Sequence, residues 1–344
     1  MQQIDGLLHN YAGDVPGASV LVVRDGKVVF RKSYGMANLE DRIAATPDTN
    51  YRLASMTKQF TAAAILMLAE RGKLTLNDPI TKYLALPTYA NAITIRQLLT
   101  HTSGLLAYED LIAPGTTRQL EDADVLDLIA KESTTYFPPG TSYRYSNTGY
   151  AFLALIVERV SGQRFADFLR EKIFEPAGMK NSVAFEEGIS TVAHRAFGYS
   201  AISGGQAILP AGGKARSPVL HWHRTDQSLT SAVLGDGGIY TSIDDLVHWI
   251  AWLDSGRFDR ALVPATHTDD PAVQYGFGWR ISEHRGRRYV WHSGETVGFH
   301  NAIVRFPEQH LAVVVLTNRD EGEGEGEGKP HQTALKIADM FLRP

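Results

Sequence analysis

The 344-residue chain contains no cysteine. That excludes disulfides, thiolate metal sites and a cysteine nucleophile, and it leaves the compartment open, because exported proteins also do without cysteine. Charge of one sign is missing too. The 34 Lys and Arg stand against 38 Asp and Glu, a formal net charge of −4 with no basic cluster, so a nucleic-acid partner is not expected. The strongest apolar run, "AAAILMLA", falls far short of the ~18 residues that suggest a bilayer-crossing helix, so no membrane span is expected. The opening "MQQIDGLLHNYAGDVPG" has no basic segment followed by an apolar core. As written it carries no secretory signal, which gives a cytoplasmic location, or a periplasmic or secreted one if a leader has been removed. Two catalytic signatures are also absent: no serine lies in Gly-x-Ser-x-Gly, and there is no His-Glu-x-x-His. The cluster "HWHRTD", with His221, His223 and Asp226, fits no metal-ligand spacing, so neither a metal nor a cofactor is expected.

What is present is a composition that can bury a large core in one or two domains, with 44% hydrophobic and 21% charged residues. Residues 17–37, "GASVLVVRDGKVVFRKSYGMA", form two β-branched runs that meet at Asp25-Gly26, the pair a tight hairpin turn prefers. Near the other end, "RRYVWHSGETVGFHNAIVRFPEQHLAVVVLTNR" gives three more extended segments. Between them, "TIRQLLTH", "DVLDLIAKES", "GYAFLALIVERVSG" and "DFLREKIFEP" place apolar residues at helical spacing. The expected fold is α/β (α+β): an antiparallel sheet flanked by helices, made of residues 1–75 and 245–344, with an inserted mainly helical domain at 76–244. "EGEGEGEG" at 321–328 reads as a flexible solvated loop, "HQTALKIADMFL" as a C-terminal helix on the sheet, and "ISGGQAILPAGGKARSPVLHWHRTD" as a long Gly-rich insert.

The stretch 52–72, "RLASMTKQFTAAAILMLAERG", reads as a helix that opens on Ser55 with Lys58 one turn later. Residues three apart share a helix face, so the Lys58 amine can reach the Ser55 hydroxyl. A serine becomes a nucleophile when a base takes its proton, and a lysine in apolar surroundings can serve; Met56, Phe60 and the run 62–68 would provide them. Chance supplies about one Ser-x-x-Lys in a chain of this length, and this chain has one. A second element, "FPPGTSYRYSNTGYAFLALIVERVSG", sets Tyr145 and Asn147 in a loop just before a helix. Tyr145 could shuttle a proton beside a lysine, and Asn147 could hold a carbonyl or orient Lys58. In the third element, "VWHSGETVGFH", an extended run reaches His292, Ser293 and Gly294. A glycine there lets a substrate backbone approach, and the Glu295 amide could donate to an oxyanion together with that of Ser55. Tyr89-Ala90-Asn91 and His284-Arg285-Gly286 repeat two of these patterns and are read as coincidences.

Taken in order, Ser55-x-x-Lys58, Tyr145-Ser146-Asn147 and His292-Ser293-Gly294 resemble the serine β-lactamase and penicillin-binding protein superfamily. The resemblance is to the branch holding class C β-lactamases, D-alanyl-D-alanine carboxypeptidases, D-aminopeptidases and esterases. "PGASVLVVRDGKVVF", "YRLASMTKQFTAAAILMLAERGKLTLNDPITKYL" and "ITIRQLLTHTSGL" extend it over most of residues 10–318. It implies a β-lactamase/transpeptidase-like fold with Ser55 at the domain junction, Ser55 as the acylated nucleophile, and Lys58 and Tyr145 as proton-transfer groups. Asn147, His292, Ser293, Gly294 and Glu295 are the expected substrate-binding residues. His292 stands where true class C enzymes carry lysine, as in the peptidase and esterase members, and histidine offers a carboxylate a charge only when protonated. The expected function is a cofactor-free serine hydrolase of a small ester, amide or D-amino-acid peptide, with at most weak β-lactamase activity. The competing expectation is a non-catalytic binding or scaffold protein that kept the fold. Oligomeric state is not legible.

Overall fold

The computed structural model describes residues 2–202, 221–320 and 329–342. The acidic run 321–328 and most of the Gly-rich insert, 203–220, lie outside the described residues.

Asp25 and Gly26 turn the first hairpin. Both have positive φ, 50° and 69°, as the central residues of a type I′ turn require, and they join β1 (Ala18–Arg24) to β2 (Lys27–Tyr34). The C-terminal part supplies β3 (Thr266–His267), β4 (Gln274–Tyr275), β5 (Arg280–His284), β6 (Arg287–Thr296), β7 (Phe299–Phe306) and β8 (Leu311–Thr317). Together they form one antiparallel sheet in the order β3-β4-β5-β6-β7-β8-β1-β2. The two ends of the chain meet where β1 lies along β8, with Ala18 opposite Thr317 and Arg24 opposite Leu311.

β1 and β8 are covered on both faces, which is why they read as continuous apolar runs and do not alternate. On one face Val20, Val22, Val313 and Val315 cluster with Ile4 of the helix Gln2–Leu7 and with Ala334 and Ile337 of the C-terminal helix Lys329–Asp339. On the other, Leu21, Val314 and Leu316 join the main core with Phe60, Ile65 and Trp249. The helix Lys58–Glu70 is buried from Lys58 through Leu68. Buried on every side and mainly apolar, it runs through the interior, and Phe60 stacks on Trp249 of the helix Ile243–Asp254 at 4.3 Å.

The helix expected from residue 52 starts later. Tyr51–Arg52 is a short strand paired with Ile239–Thr241, Ala54–Thr57 is a 3₁₀ turn, and the α-helix begins at Lys58. Long-range pairing overrides local propensity here: the buried Arg52 guanidinium donates to the carbonyls of Gly237 and Ser231 at 3.3 and 2.8 Å. The inserted segment carries the helices Ile95–Leu99, Asp122–Ile129, Asn147–Ser161 and Phe165–Leu169. It is not wholly helical. Val183–Ala184 also pairs with Ile239–Thr241, and Tyr199–Ile202 pairs with His221–Arg224 and Arg319–Asp320. The turn bearing Ser55 therefore packs between β6 and the short helix Leu234–Gly237. Among the described residues no helix is long and apolar enough to cross a membrane.

Candidate active site

In a 3₁₀ turn residues i and i+3 eclipse, and Lys58 Nζ accordingly donates to Ser55 Oγ at 3.0 Å. Ala54, just before Ser55, has φ +50°, a left-handed conformation uncommon for a residue with a Cβ. Lys58 is fully buried, but its amine does not sit in the apolar surroundings expected of it. Nζ also donates to Asn147 Oδ1 at 2.8 Å and to the Asp236 carbonyl at 3.0 Å. Three oxygen acceptors match the three N–H groups of an ammonium.

Asn147 is the first residue of the helix Asn147–Ser161, not a loop residue, and Ser146 caps that helix by accepting the Gly149 amide at 3.1 Å. Asn147 Nδ2 donates to Glu109 Oε1 at 2.7 Å, which leaves its Oδ1 facing Lys58. Asp236 lies in the helix Leu234–Gly237, and its Oδ2 accepts from Tyr108 at 3.3 Å. Burial pushes its carboxyl up to about 6, against the opposing pull of Lys58. Neither Glu109 nor Asp236 was singled out from the sequence. The only local signal was the Gly-rich context "LGDGG" around Asp236, and nothing marked Glu109.

Tyr145 sets its ring 4.9 Å from Lys58 Nζ, and its hydroxyl is buried with no hydrogen-bond partner. Arg280, on β5, brings its guanidinium to 5.6 Å from the same ring and 5.2 Å from that of Trp291. This is a fixed charge that the sequence reading missed.

The third element lies on β6, and its side chains part company. His292 is 1% exposed. Its Nδ1 donates to the Ser293 carbonyl at 2.6 Å and its Nε2 accepts from Tyr275 at 3.0 Å. Burial, with Arg280 and Lys58 nearby, holds its pKa well below the usual histidine value. His292 is therefore a buried neutral side chain, with both ring nitrogens held by hydrogen bonds within the protein. Gly294 has a packing role of its own. A Cβ there would overlap the Leu53 carbonyl oxygen and lie 3.2 Å from the Met56 amide nitrogen, so the glycine admits the Ser55 turn against the strand. Ser293 is half-buried and Glu295 exposed, on the opposite face of the strand from His292.

A polar cleft of about 70 Å³ opens at Ser55, lined among others by Arg52, Asn147, Asp236, Glu295 and Thr296. Ser55, Asn147 and Glu295 reach its wall, with Lys58 hydrogen-bonded to the first two; His292 and Ser293 do not line it. A larger cavity of about 590 Å³, bordered by Arg118, Asp122, Glu158 and Glu186, contains none of the candidate residues. The repeated patterns go into local structure: Tyr89 donates to the Ile129 carbonyl, Asn91 accepts from Thr81, and Arg285-Gly286 turns β5 into β6 with φ 52° and 73°. Asp226 holds Arg195 and the Gly198 amide at 2.7 and 3.0 Å. Among the described residues no group of three or more His, Asp or Glu converges as a metal site would.

The beta-lactamase family model matches residues 4–337. Penicillin-binding protein 4* of Bacillus subtilis is 29% identical over 338 residues, covering 94% of this chain and 72% of that protein. A D-aminopeptidase of Brucella canis is 30% identical over 350 residues, covering 97% of this chain and 62% of that protein; the chain thus spans less than two thirds of that relative's length. Among solved structures, a penicillin-binding protein from Bacillus halodurans superposes with a TM-score of 0.80 at 27% identity, covering 98% of this chain and 99% of that one.

Proposed function

The chain belongs to the beta-lactamase family, within the serine β-lactamase and penicillin-binding protein superfamily of hydrolases, and from that premise we propose that it cleaves an ester or amide through an acyl-enzyme on Ser55. The observation that carries this reading is the single amine bound to three oxygens, Ser55 Oγ, Asn147 Oδ1 and the Asp236 carbonyl. Lys58 fixes the hydroxyl's position and supplies positive charge where the alkoxide develops. In the reacting state the Lys58–Tyr145 pair holds one proton fewer, a Tyr145 phenolate beside the Lys58 ammonium: the phenolate takes the Ser55 proton as Oγ bonds to the substrate carbonyl carbon, and the phenol so formed gives that proton to the leaving oxygen or nitrogen as its bond to the carbonyl carbon breaks. The Ser55 and Glu295 amides hold the oxyanion, a type of interaction worth roughly 3 to 4 kcal/mol per donor. Water, deprotonated by the same pair, then releases the acid and restores Ser55.

The neutral, buried His292 gives a substrate carboxylate no charge at the place where lysine serves class C enzymes, which weighs against efficient β-lactam hydrolysis. Similarity to a D-aminopeptidase supports D-amino-acid amides and peptides as the first substrates to try, with simple esters beside them. The test is turnover of D-alanine p-nitroanilide, its L-enantiomer and p-nitrophenyl acetate by wild type, Ser55→Ala, Lys58→Ala and Tyr145→Phe. Ser55→Ala should be inactive, and the other two should lose about 10²- to 10⁴-fold. Full turnover by Ser55→Ala overturns the reading.

A further inference from the structure

His101 grips the backbone on both sides of Tyr145. Its carbonyl accepts the Arg144 amide at 3.0 Å, and its Nδ1 accepts the Ser146 amide at 3.0 Å. Its ring lies against the Tyr145 ring, with centroids 4.3 Å apart and planes 33° apart. One residue thus ties the main chain at Arg144 and at Ser146, on either side of Tyr145, and backs its phenol. The hold requires a left-handed backbone at His101, φ +59°, and the same turn is laced to the Tyr145 loop by Gly140 N–H to Thr102 O and Tyr136 N–H to Gly104 O, both 2.8 Å. Because Nδ1 accepts, the ring proton sits on Nε2, which is buried and has no hydrogen-bond partner. Full burial, with the charges of Lys58 and Arg280 facing it, holds the ring neutral, well below the usual histidine range. An imidazolium would have no lone pair for the Ser146 amide.

We propose that His101 is a positioning residue for proton transfer: its carbonyl and Nδ1 fix the Tyr145 backbone, and its ring sets the plane of the phenol beside Lys58. The proposal rests on the reading that Tyr145 moves the Ser55 proton. A residue serving stability alone would explain the burial. It would not explain why both main-chain ties bracket the one tyrosine that faces Lys58 with an unpartnered hydroxyl.

The experiment is a double-substitution cycle on the full chain, read as kcat and KM for the best substrate of the panel above and as melting temperature. His101→Gly accepts the positive φ and removes both the acceptor and the ring. His101→Asn also tolerates that φ and can present an amide oxygen to the Ser146 amide, but lacks the ring. Each is made alone and with Tyr145→Phe. Misplacement of a catalytic group by about 1 Å can cost about 100-fold, so His101→Gly should lower kcat by about that factor with KM little changed, and His101→Asn should recover part of the loss. In the Tyr145→Phe background neither should lower kcat further, because the group they position no longer acts. Equal losses in both backgrounds, or a folded His101→Gly with wild-type kcat, overturn the proposal. If His101→Gly does not fold, the His101→Asn arm decides by the same criterion. Wild-type turnover by Tyr145→Phe itself would instead overturn the role assigned to Tyr145.

Discussion

The α-carbon of Gly294 on β6 sits against the carbonyl of Leu53, two residues before Ser55, so closely that no side chain fits between them. Gly294→Ala must therefore push the Ser55 turn off the strand. The expected outcome is a loss of about 1 to 3 kcal/mol of stability from overpacking, with a fall in kcat larger than that in a Gly6→Ala control, since Gly6, in the helix Gln2–Leu7, has open space where a Cβ would be and no positive φ. Melting curves and initial rates of the two variants check it.

Glu109 is expected to matter through Asn147. With its carboxylate accepting from Asn147 Nδ2, the amide can face Lys58 only with its oxygen. Glu109→Ala frees the amide to flip and should lower kcat/KM about tenfold, the order of one lost hydrogen bond to a charged group. Glu109→Gln keeps an acceptor and should retain most of the rate. Steady-state kinetics of the pair tests this.

Asp236 gives the site a pH signature. Its folded pKa, about 6, lies above the ordinary value of 3.8, so the folded state binds the proton more tightly than the unfolded chain. The sign follows: folding is favoured below pH 4 relative to neutrality, and stability on the order of 3 kcal/mol is lost as pH rises through 6. Asp236→Asn, neutral at every pH, should raise the melting temperature relative to wild type at pH 8 and lose that advantage near pH 4. A variant that gains equally at both pH values contradicts the assignment.

The fold was legible where local rules decide it. Asp25-Gly26 marks a tight hairpin turn, and the β-branched runs on either side of it, with the extended segments near the other end, mark the strands of the sheet. Ser55, Lys58 and Tyr145 were legible because their motifs are short and contiguous. What escaped depends on partners far away in the chain. Arg52 is a strand residue because Ile239–Thr241 pairs with it, and His292 is buried because Tyr275 on β4 caps its ring. Glu109 and Asp236 enter the site only through the packing of the Tyr108–Leu111 turn and the helix Leu234–Gly237 around Lys58. The packing of Gly294 was not legible either, because the carbonyl it makes room for belongs to Leu53, at the entry to the Ser55 turn.

The most direct measurement is the intact mass of the folded protein after reaction with a fluorophosphonate and, separately, with a penicillin, followed by peptide mapping, with Ser55→Ala alongside. The account predicts one phosphonyl group per chain, mapped to Ser55 and absent from the variant, whether or not the penicillin adduct also accumulates. A wild-type protein that stays unlabelled by both reagents, or a label that persists in Ser55→Ala, would contradict an acyl-enzyme on Ser55 and favour a binding protein that kept the fold.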